Sequence, residues 1–97
     1  MARDRSKLGD AEVQAFLQRA PGWALEGGML KKTFAFADFR AAMSFVSRVA
    51  DAAEAADHHP DIDIRYTTIS MVLSTHSAGG LTAKDFDLAE RIEQAAR

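Results

Sequence analysis

The chain has 97 residues, of which 47% are hydrophobic and 27% charged, and its formal net charge at pH 7 is −2. This composition is typical of one globular domain, and the lack of a basic surplus argues against binding nucleic acid through a positively charged face. Without cysteine, the chain can form no disulfide, no thiolate nucleophile and no cysteine zinc site.

The sequence also bears on where the protein works. Basic residues near the start are followed by no apolar segment, which argues against a secretory signal. No apolar run approaches the roughly 18 residues of a membrane-spanning helix. We therefore expect a cytoplasmic protein that contacts no membrane, with a single domain over residues 1–97 and a flexible segment at residues 1–7.

The first predicted element is a helix from about Asp10 to Arg19. Apolar residues recur there at helical spacing, at positions 13, 16, 17 and 20. Asp10 is expected to cap the start of this helix, and Pro21 and Gly22 to end it.

A β-hairpin is predicted next. Alternating apolar residues precede and follow a pair of glycines; they are Trp23, Leu25, Leu30, Phe34 and Phe36. Gly27 and Gly28 can adopt the positive φ that a tight turn between two such strands requires.

The second helix has the clearest pattern and is expected to begin at Asp38. Its predicted apolar stripe consists of Phe39, Ala42, Met43, Val46, Val49, Ala50 and Ala53. Pro60 disfavours helical geometry at the residue before it, so the helix should end by His58 or His59.

A second hairpin is predicted from a change of parity. Ile62 and Ile64 alternate with polar residues, and so do the later apolar residues Ile69, Met71 and Leu73. The two sets have opposite parity, so one continuous strand would point them at opposite faces. We therefore expect a turn near residues 66–68.

The last helix is predicted after "SAGG" and completes the architecture. Thr82 and Asp85 have the spacing of a capping box, and the predicted buried face consists of Phe86, Ala89, Ile92 and Ala96. The element order is α-β-β-α-β-β-α, which predicts an α+β fold: a four-stranded antiparallel sheet with three helices packed on one face.

This layout predicts that the three histidines meet. His58 and His59 lie at the exit of the second helix, and His76 lies at the end of the last strand. In an antiparallel hairpin that end is close to the start of the preceding strand, just after Pro60. Asp85, in the first turn of the final helix, is near enough in sequence to fold back toward His76.

Each of these residues also has a structural explanation. Histidine is favoured near a helix C-terminus by the helix dipole, and Asp85 is explained by capping alone. A metal site built from the three histidines and Asp85 is a further alternative, although adjacent histidines rarely point at one ion. The spacing of the whole set distinguishes a functional site from these structural explanations better than any single residue does.

That spacing resembles the signature of the pterin-4a-carbinolamine dehydratases. Glu54 is followed after three residues by His58-His59-Pro60, after five more by Tyr66, after nine more by His76 and after eight more by Asp85. The resemblance extends to "GW" at Gly22, to "LSTH" at Leu73–His76 and to "LTAKDFDLA" at Leu81–Ala89. It covers nearly the whole chain from about Leu8.

The resemblance implies the substrate and the reaction. The substrate would be 4a-hydroxytetrahydropterin, the carbinolamine that aromatic amino acid hydroxylases release, and the product would be quinonoid dihydropterin, which a separate reductase returns to the tetrahydro form. Histidine suits this loss of water because it both donates and accepts protons near neutral pH. No metal and no cofactor are implied.

The resemblance also implies roles for single residues. His58 and His76 would be the acid/base pair, His59 would mainly hold the substrate, and Asp85 would fix the tautomer of a histidine by accepting its ring N–H. Further substrate-binding residues would be Asp57, Ser74, Thr75 and Ser77, with Glu54 behind them.

Partners follow from the same resemblance. Members of the family commonly form tetramers, and a small core with one uncovered sheet face is consistent with association. Some animal members also stabilise the dimer of a transcription factor, so a non-catalytic protein-binding role is the alternative function.

Overall fold

The fold has the predicted α+β architecture and element order. We describe it from a computed structural model, which covers residues 7–97. The predicted flexible segment, residues 1–7, lies outside the described residues except for Lys7.

Three helices are present in this part of the chain. They are α1 (Asp10–Arg19), α2 (Phe39–Ala56) and α3 (Ala83–Ala95), and a short 3₁₀ turn (His76–Ala78) precedes the last. Among residues 7–97, no helix has both the length and the apolar character needed to cross a membrane.

Four strands form one antiparallel sheet. They are β1 (Ala24–Glu26), β2 (Met29–Ala35), β3 (Asp61–Arg65) and β4 (Thr68–Leu73), and their order in the sheet is β1-β2-β4-β3. Both predicted hairpins are therefore confirmed, with β1 and β3 at the two edges.

The two hairpin turns differ in how they reach positive φ. Gly27 and Gly28 have φ values of 58° and 79°, which glycine adopts without steric cost. In the second turn Tyr66 has a φ of 54°, an uncommon value for a bulky residue. The Tyr66 ring stacks on that of Phe39, with centroids 6.3 Å apart.

The second helix starts where it was predicted to start, whereas the predicted cap of the first helix is wrong. Asp38 caps α2, and its carboxylate accepts a hydrogen bond from the backbone N–H of Ala41 at 2.8 Å. Asp10 does not cap α1: Gly9 occupies that position, and the Glu12 carboxylate accepts from its N–H at 3.4 Å. Asp10 is instead the first helical residue, where its negative charge interacts favourably with the helix dipole.

The core lies between the helices and one face of the sheet. The fully buried sheet residues on that face are Leu30, Ile69, Met71 and Leu73, and α2 and α3 contribute Ala42, Phe45, Val49, Leu88 and Ile92. The opposite face is polar, and there the hydroxyls of Thr33 and Ser70 are 2.9 Å apart. Burial of apolar surface on one face is thus the main force that orders the layers.

The buried stripe of α2 is rotated from the predicted one. Phe45 is fully buried and was absent from the prediction, whereas Phe39 is 47% exposed and Ala50 is also exposed. Phe39 is the first residue of the helix and lies beyond the edge of the core, so its ring contacts Tyr66 instead.

The apolar side chains of the edge strand β3 lie on the core face of the sheet but are partly exposed. Ile62 and Ile64 pair with Met71 and Ile69, so all four side chains share one face of the sheet. Ile62 is nevertheless 37% exposed and Ile64 45%, because the helices do not extend over this edge.

Candidate active site

The end of α2 sets the position of the first two histidines. Asp57 follows the helix in the left-handed conformation, with φ of 50° and ψ of 44°. The N–H of His58 then donates to the carbonyl of Ala53 at 3.2 Å, which is the bonding pattern of a helix C-terminus that turns sharply. His58 and His59 therefore leave the helix in a defined direction just before Pro60.

His76 lies in a loop and not on the last strand, because β4 ends at Leu73. The loop is closed by a hydrogen bond from the N–H of Thr75 to the carbonyl of Gly80 at 3.0 Å. His76 begins the 3₁₀ turn inside this loop, and its side chain is exposed. The closed loop thus replaces the expected strand end as the support of His76.

Asp85 is fully buried and accepts three hydrogen bonds. His58 Nε2 is 2.6 Å from Oδ1, while the Thr75 hydroxyl and the Thr82 backbone N–H donate to Oδ2 at 2.8 and 2.9 Å. Asp85 is also the third residue of α3, as the predicted capping box requires. It contacts His58, not His76 as its sequence position suggested, so Asp85 connects α3 to the end of α2.

The hydroxyl groups behind Asp85 form a chain with a defined direction. The Thr75 and Thr82 hydroxyl oxygens are 2.9 Å apart. Since Thr75 donates its single hydroxyl hydrogen to Asp85, Thr82 must donate to Thr75. Thr82 in turn accepts from the N–H of Lys84 at 3.3 Å.

The contact with Asp85 bears on the tautomer of His58. With Asp85 ionised, the only possible donor in the 2.6 Å contact is His58 Nε2–H. The other nitrogen, Nδ1, then carries the lone pair in the neutral ring. His58 has a side chain only 11% exposed, so both its tautomer and its orientation are constrained.

His59 has a carboxylate partner as well, but in a different environment. Its Nε2 is 2.5 Å from Glu54 Oε2. The side chains of His59 and Glu54 are 55% and 77% exposed, so water screens this pair. His59 is therefore held much less firmly than His58.

One cleft of about 300 Å³ brings the predicted residues together. Its lining consists of Asp57, His58, His59, Ser74, Thr75, His76, Ser77 and Lys84. We call it the histidine cleft. Every residue predicted to bind substrate lines it, while Asp85 and Glu54 lie behind His58 and His59 respectively.

Two residues of this region were missed from the sequence. Lys84 lines the histidine cleft and supplies a cation, and Thr82 bonds Thr75 through its hydroxyl and Asp85 through its backbone N–H. Both lie within "LTAKD", the stretch whose capping-box spacing marked the start of the last helix, so that spacing was the available signal.

The histidines do not converge on a single point. His58 faces Asp85 and His59 faces Glu54, and within residues 7–97 no group of three or more histidine, aspartate or glutamate side chains has an arrangement that could hold a metal ion. Tyr66 also lies outside the cleft lining, at the β3–β4 turn.

Comparison with known sequences identifies relatives over nearly the full chain. The sequence model described as "Pterin 4 alpha carbinolamine dehydratase" matches residues 6–95. A protein of Thermomicrobium roseum is 47% identical over 91 residues, covering 94% of this chain and 98% of its own. One from Nocardia farcinica is 50% identical over 90 residues, covering 93% and 95%. Both carry the name "Putative pterin-4-alpha-carbinolamine dehydratase".

Solved structures have the same fold. A transcriptional coactivator/pterin dehydratase from Brucella melitensis is similar with a TM-score of 0.91 and 30% identity, over 95% of this chain and 100% of the other. A pterin dehydratase-like protein identified as a RuBisCO assembly factor in the alpha-carboxysome gives 0.67 and 26%, over 77% and 89%. Sequence and fold agree, and the chain belongs to the pterin 4 alpha carbinolamine dehydratase family.

Proposed function

We propose that this protein dehydrates 4a-hydroxytetrahydropterin to quinonoid dihydropterin and water. The observation that carries the proposal is the histidine cleft, in which His58, held by the buried Asp85, lines the same cavity as His59 and His76. Membership of the family supports the same reaction class.

The reaction requires two proton transfers and no change of oxidation state. A proton is delivered to the hydroxyl on C4a, the C4a–O bond breaks and water leaves. The proton on the neighbouring N5 is removed, and its electron pair forms the C4a=N5 double bond. Imidazole groups on opposite sides of the ring can perform both transfers, so the chemistry needs neither a metal nor a cofactor.

His58 and His76 are the proposed acid/base pair. His58 presents Nδ1 as its exchangeable position because Nε2 is committed to Asp85. His76 lines the same cleft from the closed loop, and its exposed ring is accessible to water. In this proposal, two supports on different parts of the chain hold the donor and the acceptor for different points of one ring system.

The remaining cleft residues are proposed to bind the substrate. His59, exposed and paired with Glu54, is suited to a positioning contact that adapts to the ligand. Asp57, Ser74 and Ser77 offer polar groups to the pterin ring, which has donors and acceptors along one edge. The Thr75 hydroxyl is different, because its hydrogen is already donated to Asp85.

The physiological setting is proposed on the same basis. The protein would act in the cytoplasm and return to the pterin pool the carbinolamine that an aromatic amino acid hydroxylase releases. We also propose a tetramer, supported by the exposed apolar residues Ile62 and Ile64 on the edge strand β3. Light scattering at micromolar concentration tests the tetramer, and a monomer would contradict it.

The test of function is the decay of the carbinolamine absorbance. A phenylalanine hydroxylase generates the carbinolamine, and the purified protein should accelerate its decay above the spontaneous rate. The variant with both His58→Ala and His76→Ala serves as the matched control, since both side chains lie outside the apolar core. Equal decay with and without the wild-type protein would contradict the proposal.

A protein-binding role is the second candidate. Two structural relatives favour it, one described as a coactivator as well as a dehydratase and one as an assembly factor. In that role the histidine cleft would be dispensable, so a protein that binds a partner equally well with and without His58 and His76, and shows no dehydration, would support it.

A further inference from the structure

A second cleft adjoins the histidine cleft. Its volume is about 440 Å³, within the range of roughly 300–1,000 Å³ typical of small-molecule sites. The two clefts share Ser74, Thr75 and His76 as a common wall. Of the three histidines, His76 alone lines both clefts.

The second cleft has an apolar lining with balanced charge. Five aliphatic side chains contribute to it: Leu8, Val13, Leu25, Met29 and Leu81. One cation, Lys7, and one carboxylate, Asp10, add no net charge. Leu25 is 42% exposed, which leaves apolar surface uncovered at this point of β1. The lining is therefore suited to an uncharged, apolar group.

The chemistry of the substrate indicates which group reaches this cleft. In a carbinolamine the reacting atoms are C4a and N5, and N5 is also bonded to C6. A substituent on C6 therefore leaves the ring next to the reacting atoms, and hence beside a histidine that serves them. His76 borders both clefts, so a substituent that lies beside His76 would also lie next to the second cleft.

Building on the proposed function, we infer that the second cleft binds the C6 substituent of the pterin and selects for substituents that are apolar or aromatic. The ring occupies the histidine cleft, and the substituent passes His76 and contacts Leu25 and Met29. Leu25 and Met29 are then residues that determine substrate specificity and take no part in proton transfer.

Equilibrium binding of two stable 7,8-dihydropterins tests the inference. The probes carry a methyl or a benzyl group at C6 and are otherwise identical. Wild-type protein should bind the benzyl compound at least about tenfold more tightly, because only the phenyl ring reaches the apolar lining. Fluorescence titration gives both dissociation constants without requiring turnover.

Substitution at one strand provides matched variants. Leu25→Asp places a charge in the second cleft and should remove most of the preference for the benzyl compound, while affinity for the methyl compound changes less than about twofold. Ala24→Asp is the control, since the neighbouring side chain is on the opposite face of β1 and should leave both affinities unchanged. Met29→Gln, which nearly keeps the side-chain volume, is the second variant if Leu25→Asp does not fold.

The outcomes separate this inference from the proposed function. Equal affinity of the wild type for the two probes, or equal losses for both in Leu25→Asp, overturns the inference while dehydration activity continues to support the proposed function. Failure of the wild type to bind either pterin overturns both. A lower molecular mass of Leu25→Asp in light scattering would show that a second copy of the chain covers the cleft, and would also overturn the inference.

Discussion

His58 and His59 are adjacent, chemically identical and each paired with a carboxylate at 2.5–2.6 Å, yet they are in opposite environments. The His58–Asp85 pair is 11% and 0% exposed, whereas the His59–Glu54 pair is 55% and 77% exposed. Burial strengthens the first interaction and restricts its geometry, while water and side-chain entropy weaken the second. The comparison teaches that environment, and not residue type or pairing distance, separates a firmly held histidine from an adaptable one.

The largest expected effect comes from removing both proposed proton-transfer groups. His58→Ala with His76→Ala should bring dehydration close to the spontaneous rate, because each general acid or base typically contributes about 10²–10⁴ in rate. The measurement is carbinolamine decay with the uncatalysed rate subtracted. Substantial activity in this double variant would show that other groups transfer the protons.

Single substitutions of His58 and His59 test the difference between these two histidines most directly. His58→Ala should lower kcat by about 10²–10⁴ with little change in affinity for a dihydropterin. His59→Ala should mainly raise KM, because a positioning contact acts equally on bound substrate and transition state. Steady-state kinetics on both variants gives kcat and KM. A kcat loss in His59→Ala with a KM effect alone in His58→Ala would reverse the proposed roles.

Substituting the two carboxylates, Asp85 and Glu54, tests whether the buried and the exposed pair differ in importance. Asp85→Asn removes the charge that holds His58 Nε2–H and places an NH₂ group against a donor. We expect kcat to fall about tenfold or more and stability to fall by roughly 1–3 kcal/mol. Glu54→Gln, at an exposed pair, should change either quantity little.

Thermal melts and kcat per folded molecule are the required measurements for this pair. Asp85→Asn with a reduced melting temperature but normal kcat would mean that Asp85 only stabilises the start of α3. A large kcat effect of Glu54→Gln would mean that exposure does not distinguish the two histidines.

A smaller loss of kcat than for Asp85→Asn is expected at Thr75. Thr75→Val removes one donor to Asp85 and leaves the buried Thr82 hydroxyl without its acceptor, so kcat should fall severalfold and stability by about 1–3 kcal/mol. Thr75→Ser, which keeps the hydroxyl, is the control and should restore most of kcat. If Thr75→Val raised KM alone, Thr75 would instead contact the substrate directly.

Much of this architecture was predictable because local patterns carried it. The parity change between Ile64 and Ile69 required a turn, and the spacing of Thr82 and Asp85 marked a helix start. The predicted antiparallel hairpin brought the end of the last strand near Pro60, and His58 and His76 do line one cleft.

The errors concern what local patterns do not specify. The partner of Asp85 depends on how α3 packs against the end of α2, so sequence proximity wrongly suggested His76 in place of His58. Phe39 fits the helical spacing of apolar residues but is the first residue of α2, beyond the core that buries Phe45. Thr82 was recognised as a cap, yet its hydroxyl bond to Thr75 depends on a loop that only the fold closes.

The directed hydroxyl chain has a consequence for spectroscopy. The Thr75 and Thr82 side chains are 6% and 0% exposed, so their hydroxyl hydrogens are shielded from water. Such hydrogens exchange slowly and should give separate proton resonances in NMR spectra. Their chemical shifts would report the charge of the Asp85 carboxylate. The charge could thus be followed as His58 becomes protonated or contacts a ligand, without any label or substitution in the histidine cleft.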